Sequence, residues 1–416
     1  MRLHLASSPK FKTAVVKAFL RTDLAEESAT EIALLPYVLR HGTRAFPSLR
    51  AVNRRLEELY GATLAVDVLK LGEEQVITLR LEVVGDAFLP PGEGVLRPGL
   101  QLLRDLLHDP HREASGAFPE EPVRQEREKL SRFIQGLIDD KAAWAAEACV
   151  RAMCRDEPYS VFEYGREQDI PRVDGAALER RRARLLAGAP LDVYVTGAVD
   201  PVAAVDLVGE AFALPGRTGE QPTRGTTGHP PARPPQELRE GFDVQQGKLC
   251  LGFRAAASVR DPGYYPLFVM NGVLGGFPHS KLFKNVREKG GLCYDASSSY
   301  ERFKGLLFLT AGIAPENFER ARDECLAQLD ALREGDVSAE ELEATRMSYF
   351  QALRALLDSP PALINLDYGL RLAGRSAAPD DVIREVMAVT PDQIAEAARS
   401  VRLDTVYYLH PAEKTA

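Results

Sequence analysis

Two side chains on either side of a double glycine carry the most pointed chemistry in this 416-residue chain. The stretch is Leu282-Phe283-Lys284-Asn285-Val286-Arg287-Glu288-Lys289-Gly290-Gly291-Leu292-Cys293-Tyr294. Arg287 falls near the end of a helical run, the glycines stop it, and Tyr294 opens a strand. A guanidinium offers several donors in a fixed fork, and a phenol offers one acidic O–H. Brought towards one point by the turn, the two could grip a peptide carbonyl and stabilise the oxyanion that forms when water attacks it. The same residues also read as a surface arginine paired with Glu288 or Glu301 and a strand tyrosine packing its ring, and an exposed ion pair of that kind contributes little.

The elements needed to position the pair occur twice. In the second half, strands are expected at 248–254, 294–300, 305–313 and 405–409. Helices are expected at 264–274, 281–289, 318–333, 338–357 and 390–400. The first half reads as strands at 11–23, 63–70, 75–84 and 191–199, with helices at 26–40, 48–60, 99–107, 122–150, 174–186 and 201–212. Pro36 should kink or interrupt the first of these helices, because proline removes a backbone donor and crowds the preceding turn. Phe46-Pro47, a short helix, Gly61 and two strands align with Phe277-Pro278, a short helix, Gly291 and two strands. Two long copies point to a duplicated domain rather than a solenoid. The expected fold class is α+β, with two tandem homologous α/β-sandwich domains at 1–214 and 239–416. Between them, 215–238 is dense in Pro, Gly and Thr and reads as a linker.

The stretch from Leu282 to Glu301, with Gly275-Gly276 and Phe277 upstream, resembles the C-terminal half of pitrilysin/insulinase-type zinc peptidases, in particular their mitochondrial-processing-peptidase-like branch. The duplicated plan extends the resemblance to nearly the whole chain. That family carries an inverted zinc motif, His-x-x-Glu-His, in its first half, followed by a glutamate ligand from a later helix. Aligning on Gly42-Thr43 sets Ala33, Pro36 and Tyr37 at the His, Glu and His positions. The remaining ligand position falls at Phe133. Alanine, proline and phenylalanine cannot bind zinc, so no metal is expected in this chain. The seven histidines form no helical i,i+4 pair, and the close pair His108 and His111 sits in a proline-containing loop.

The resemblance therefore implies a non-catalytic subunit of a heterodimeric zinc peptidase. Zinc would lie in a homologous partner bearing His-x-x-Glu-His, and Arg287 and Tyr294 of this chain would bind an extended peptide substrate. Two alternatives stay open: a purely structural subunit, like the core proteins of a respiratory complex, and a peptide-binding module without proteolysis. A homodimer of the isolated chain is also compatible with it.

Composition excludes some partners. A net charge of −8 argues against nucleic acid and anionic membrane. No apolar run approaches the length of a membrane span. Cys149, Cys154, Cys250, Cys293 and Cys325 are scattered, odd in number and form no CxxC pair, which disfavours a disulfide framework. The first residues show no leader pattern, and the expected location is the cytoplasm. The basic run 181–186 is expected to face solvent, and Trp144 to serve packing.

Overall fold

A computed structural model describes residues 1–213, 223–226 and 233–412. The chain divides into two compact units. The first comprises Met1–Gln135, Val161–Gly225 and Pro360–Ile364, and the second Gly136–Ser160, Thr226–Ser359 and Asn365–Ala416.

The first unit is built on a five-stranded sheet of β1 (Arg2–Ser7), β2 (Thr13–Asp23), β3 (Thr63–Leu71), β4 (Glu74–Val84) and β5 (Leu191–Gly197). The spatial order is β1-β5-β2-β4-β3; β1 runs parallel to β5 and every other pairing is antiparallel. The second unit holds β6 (Gln236–Phe242), β7 (Gly247–Arg254), β8 (Cys293–Glu301), β9 (Leu306–Ile313) and β10 (Arg402–Pro411). Its order, β6-β10-β7-β9-β8, with β6 parallel to β10, is the same order strand for strand. Each unit is thus an α+β sandwich, and the two share one topology.

The sequence reading lacks β1 and β6. Both are edge strands, RLHLAS and QELREGF; β1 has only the short alternation Leu3 and Leu5, and β6 is largely polar and exposed. An edge strand is held by its ladder to one neighbour, so it need not carry the apolar alternation that makes a strand visible in sequence. Of the proline- and glycine-rich stretch, 215–222 and 227–232 lie outside the described residues. Within it, the Arg224 amide donates to Asp23 at 2.8 Å and Thr223 bonds Glu74, both at one end of the first sheet.

The first core joins Val16, Ala18 and Leu20 of β2 and Leu79 and Leu81 of β4 to helix residues Ile32, Leu35, Leu103 and Leu106. The helix Glu26–Leu39 runs unbroken through Pro36, so the expected interruption does not occur. Burial of ten of its side chains, Pro36 among them, outweighs one missing backbone bond. Arg182, expected to face solvent, is buried and donates to the Leu107 carbonyl at 2.7 Å and to Glu179.

The long helix expected at 122–150 is two helices, Glu120–Asp139 and Lys141–Met153. Asp140 makes the break by accepting from the amides of Ala142 and Ala143, a capping geometry. After the break the chain joins the second unit. Cys149 and Met153 pack with Cys250, Phe308 and Tyr407 there. Gly252 of β7 lets the helix approach; a Cβ at that position would lie 2.9 Å from the Met153 sulfur. Trp144 is partly buried against this cluster, as packing requires. A buried charge network anchors the segment that follows. Arg254 donates to Glu157 at 2.6 Å and to Asp404 at 2.8 Å, and Lys304 lies 2.8 Å from Glu157. Burial pushes the Glu157 carboxyl up, but Arg254 and Lys304 outweigh it and hold the group below the usual glutamate value.

Candidate functional site

In the second unit, Leu282–Lys289 winds as a π-helix, a wide form that recurs at functional sites. Its last turn closes with the Gly290 amide on the Asn285 carbonyl at 2.8 Å. Gly291 follows with φ +59°, a left-handed conformation that glycine adopts without strain. Upstream, Gly275 lies against β8; a Cβ there would meet the Ser298 amide nitrogen at 2.6 Å, so glycine is what lets helix and strand touch.

Arg287 is exposed, and its guanidinium stacks on Phe283 with 4.5 Å between the guanidinium carbon and the ring centroid. Among the described residues it makes no ion pair. Glu301, one partner considered for it, is engaged with the amides of Phe303 and Lys304. Tyr294 is 65% exposed, so its ring is not packed away. The register between β8 and β9 shifts from Cys293–Ile313 to Asp295–Gly312, which leaves Tyr294 as the extra residue of a bulge. Bulges re-aim side chains out of the regular alternation. Cys293 marks the shared neighbourhood: burial pushes its thiol up to about 11, Asp295 adds to the rise, and the Arg287 charge opposes it. The turn therefore leaves a cation and a phenol uncommitted near its two ends.

In the first unit, Ala33, Tyr37 and Phe133 line one cavity of about 300 Å³. Pro36 is buried on the same helix as the first two. The Tyr37 hydroxyl donates to Asp67 at 3.3 Å, and burial together with Asp67 raises its pKa strongly. Phe133 packs on Tyr164 with 4.8 Å between ring centroids. Burial, with Asp67 and Glu163 adding, pushes the Tyr164 phenol up to about 12. At the polar end Glu126 accepts from His41 at 2.6 Å and from Lys129 at 2.7 Å. Burial alone would raise this carboxyl, but the two donors hold it below the usual glutamate value. The donor set does not fit zinc. Three of the four aligned positions carry no ligand atom, the Tyr37 hydroxyl serves Asp67, and no group of three or more His, Cys, Asp or Glu side chains suited to a metal occurs among the described residues.

The Gly42-Thr43 stop of the helix is pinned by the loop that holds His111; His108, expected in the same loop, is instead the last residue of the helix Leu96–His108. Thr43 bridges Pro110, and the His111 amide donates to the Gly42 carbonyl at 2.9 Å. Beyond this pairing the loop is exposed at residues 113–116.

Sequence reasoning did not single out Glu126, Lys129, Arg40 or Tyr164 as cavity residues. The signal was present in spacing. Glu126, Lys129, Leu130 and Phe133 stand at i, i+3, i+4 and i+7 of one helix and share a face, while Arg40 and His41 follow Tyr37 at the end of the other helix, Arg40 as its C-cap.

Residues 178–349 match the family model described as the peptidase M16 inactive domain. The Bacillus subtilis protein named "Probable inactive metalloprotease YmfF" is 33% identical over 413 residues, covering 99% of this chain and 96% of its own. The chain belongs to the peptidase M16 family, as an inactive member. A second B. subtilis relative, named "Uncharacterized zinc protease YmxG", is 27% identical over 169 residues, 40% of this chain and 41% of that one. A crystal structure of a conserved protein from Enterococcus faecalis V583 superposes with a TM-score of 0.93 at 27% identity, covering 100% of this chain and 97% of that one. The M16 match spans Arg287 and Tyr294 and excludes the cavity at Ala33, Tyr37 and Phe133. No helix among the described residues is long and apolar enough to cross a membrane.

Proposed function

We propose that this inactive M16 chain is the metal-free subunit of a two-chain zinc peptidase, binding extended peptide and presenting Arg287 and Tyr294 to a substrate carbonyl. The observation that carries the reading is a contrast within one chain. The aligned metal positions hold no ligand set, while Arg287 and Tyr294 are exposed at the two ends of one turn, Arg287 resting on the Phe283 ring without an ion pair among the described residues. Arg287 would orient the carbonyl through its donor fork, and the Tyr294 hydroxyl would donate to the oxygen as negative charge develops. Metal and attacking water would come with a homologous partner that keeps His-x-x-Glu-His. The occurrence of an inactive and a zinc-protease relative in B. subtilis supports a pairing of this kind. Five buried cysteines, none of them in a disulfide, support a reducing compartment, and hence the cytoplasm.

The test is reconstitution. The chain alone should cleave no peptide. Mixed with an M16 homologue from the same genome that bears His-x-x-Glu-His, it should give metal-dependent cleavage exceeding that of the homologue alone. Equal activity with and without this chain would sink the proposal. A peptide-binding chain that does not take part in cleavage is the second reading, favoured by the cavity in the first unit; it predicts peptide binding and no gain in cleavage on mixing.

A further inference from the structure

The first-unit cavity has a composition that the loss of metal ligands does not by itself explain. Its walls are apolar and aromatic, with Leu34, Leu130, Tyr37, Phe133 and Tyr164 among them. Arg40 also lines it. The Nε of Arg40 is buried without a hydrogen-bond partner, and among the described residues its side chain makes no ion pair. The other charges at the cavity are already committed, since Glu126 is shared by His41 and Lys129. One guanidinium is thus left with nothing to neutralise it at the edge of an apolar space. A buried donor left unsatisfied is costly, and a carboxylate is the group whose geometry matches its fork.

We propose that this cavity is a binding site for an apolar carboxylate, with Arg40 holding the acid group and the aromatic walls taking its side chain. Charge and size narrow the class. A cationic ligand would meet Arg40 and Lys129, and a wholly apolar one would leave Arg40 unsatisfied. A single free guanidinium balances one negative charge, which favours a carboxylate over a phosphate. The volume lies at the low end of the range of about 300–1,000 Å³ for small-ligand sites, enough for one large side chain. A second cavity of about 340 Å³ shares His41 and Leu49 with the first, giving room for whatever precedes that side chain. The ligand is therefore either the hydrophobic C-terminal residue of a peptide or a free apolar acid. The site belongs to this chain alone and needs no partner, so it stands or falls apart from the two-chain reading.

Calorimetric titration of the isolated full chain tests it. The probes are a short alanine peptide ending in phenylalanine, N-acetylphenylalanine, the C-terminal amide of each, and octanoate. Both phenylalanine acids should bind at least about tenfold more tightly than their amides, the scale of one charge-assisted hydrogen bond. A stronger response to the peptide assigns the site to peptide termini, and a stronger response to N-acetylphenylalanine or octanoate assigns it to free acids. Arg40→Gln should erase the preference for acid over amide, and Phe133→Ala, at a position 46% exposed, should weaken acid and amide alike. Thermal unfolding of each variant checks that it folds. Equal affinity for acid and amide, no binding of any acid at millimolar concentration, or an unchanged preference in a folded Arg40→Gln variant would overturn the assignment.

Discussion

Single side chains decide how far this inactive M16 chain takes part in chemistry. Arg287 and Tyr294 sit on either side of a positive-φ glycine and touch little else, an arrangement that folding alone does not require. In the reconstituted pair, Arg287→Ala and Tyr294→Phe should each lower kcat/KM by about a hundredfold, the scale for losing one oxyanion donor. Both positions are exposed, so the thermal midpoint of the chain should stay within a degree or so of the parent, reported by calorimetry. Unchanged kcat/KM in both variants would remove the pair from the reaction. At the aligned metal positions the experiment runs in the opposite direction. Ala33, Tyr37 and Phe133 line a single cavity, so Ala33→His, Tyr37→His and Phe133→Glu together would place three ligands around one point. The triple variant should take up about one zinc per chain by elemental analysis, and the parent none. Failure of a folded triple variant to bind metal would show that Phe133 is not the aligned third position.

At the scale of elements, two close approaches carry the architecture. Gly275 allows the segment before the π-helix to lie on the Ser298 backbone of β8. Gly275→Ala puts a methyl 2.6 Å from that nitrogen, where backbone must move, and should cost about 1–3 kcal/mol in urea unfolding. The segment after Lys141–Met153 is anchored by Glu157 between Arg254 and Lys304. Glu157→Gln leaves two buried cations short of their anion and should destabilise the second unit by about 3 kcal/mol at pH 7. The pH dependence has a definite sign. A carboxyl held below its ordinary value of 4.5 contributes stability that is fully present above that value and is lost as pH falls through the lower folded-state value. Below pH 4.5 the parent should therefore lose stability faster than Glu157→Gln. Parallel acid profiles would mean that the charge of Glu157 adds nothing to the fold.

On the scale of the whole molecule, the duplication was readable because it is written in local patterns. The Phe-Pro pairs, the glycines that end short helices and eight strands repeat at matching positions, and the structure returns two sheets with one strand order. The loss of zinc ligands was equally plain, because a ligand is a residue type at a spacing. What local pattern could not carry depended on partners distant in sequence. The edge strands β1 and β6 exist through their ladders to β5 and β10. Arg182 is buried because the Leu107 carbonyl waits for it 75 residues away. The helix Lys141–Met153, read as a continuation of the one before it, belongs to the second unit because Gly252 and Cys250 leave a place for it there. Residue type and period by themselves determined the duplicated outline and the loss of ligand types at the aligned metal positions. Only the tertiary structure decided that Arg287 makes no ion pair among the described residues, that Tyr294 stays exposed, and that an unpaired arginine lines the aromatic cavity where the ligands would have been, because pairing and exposure are properties of surroundings that no single segment contains.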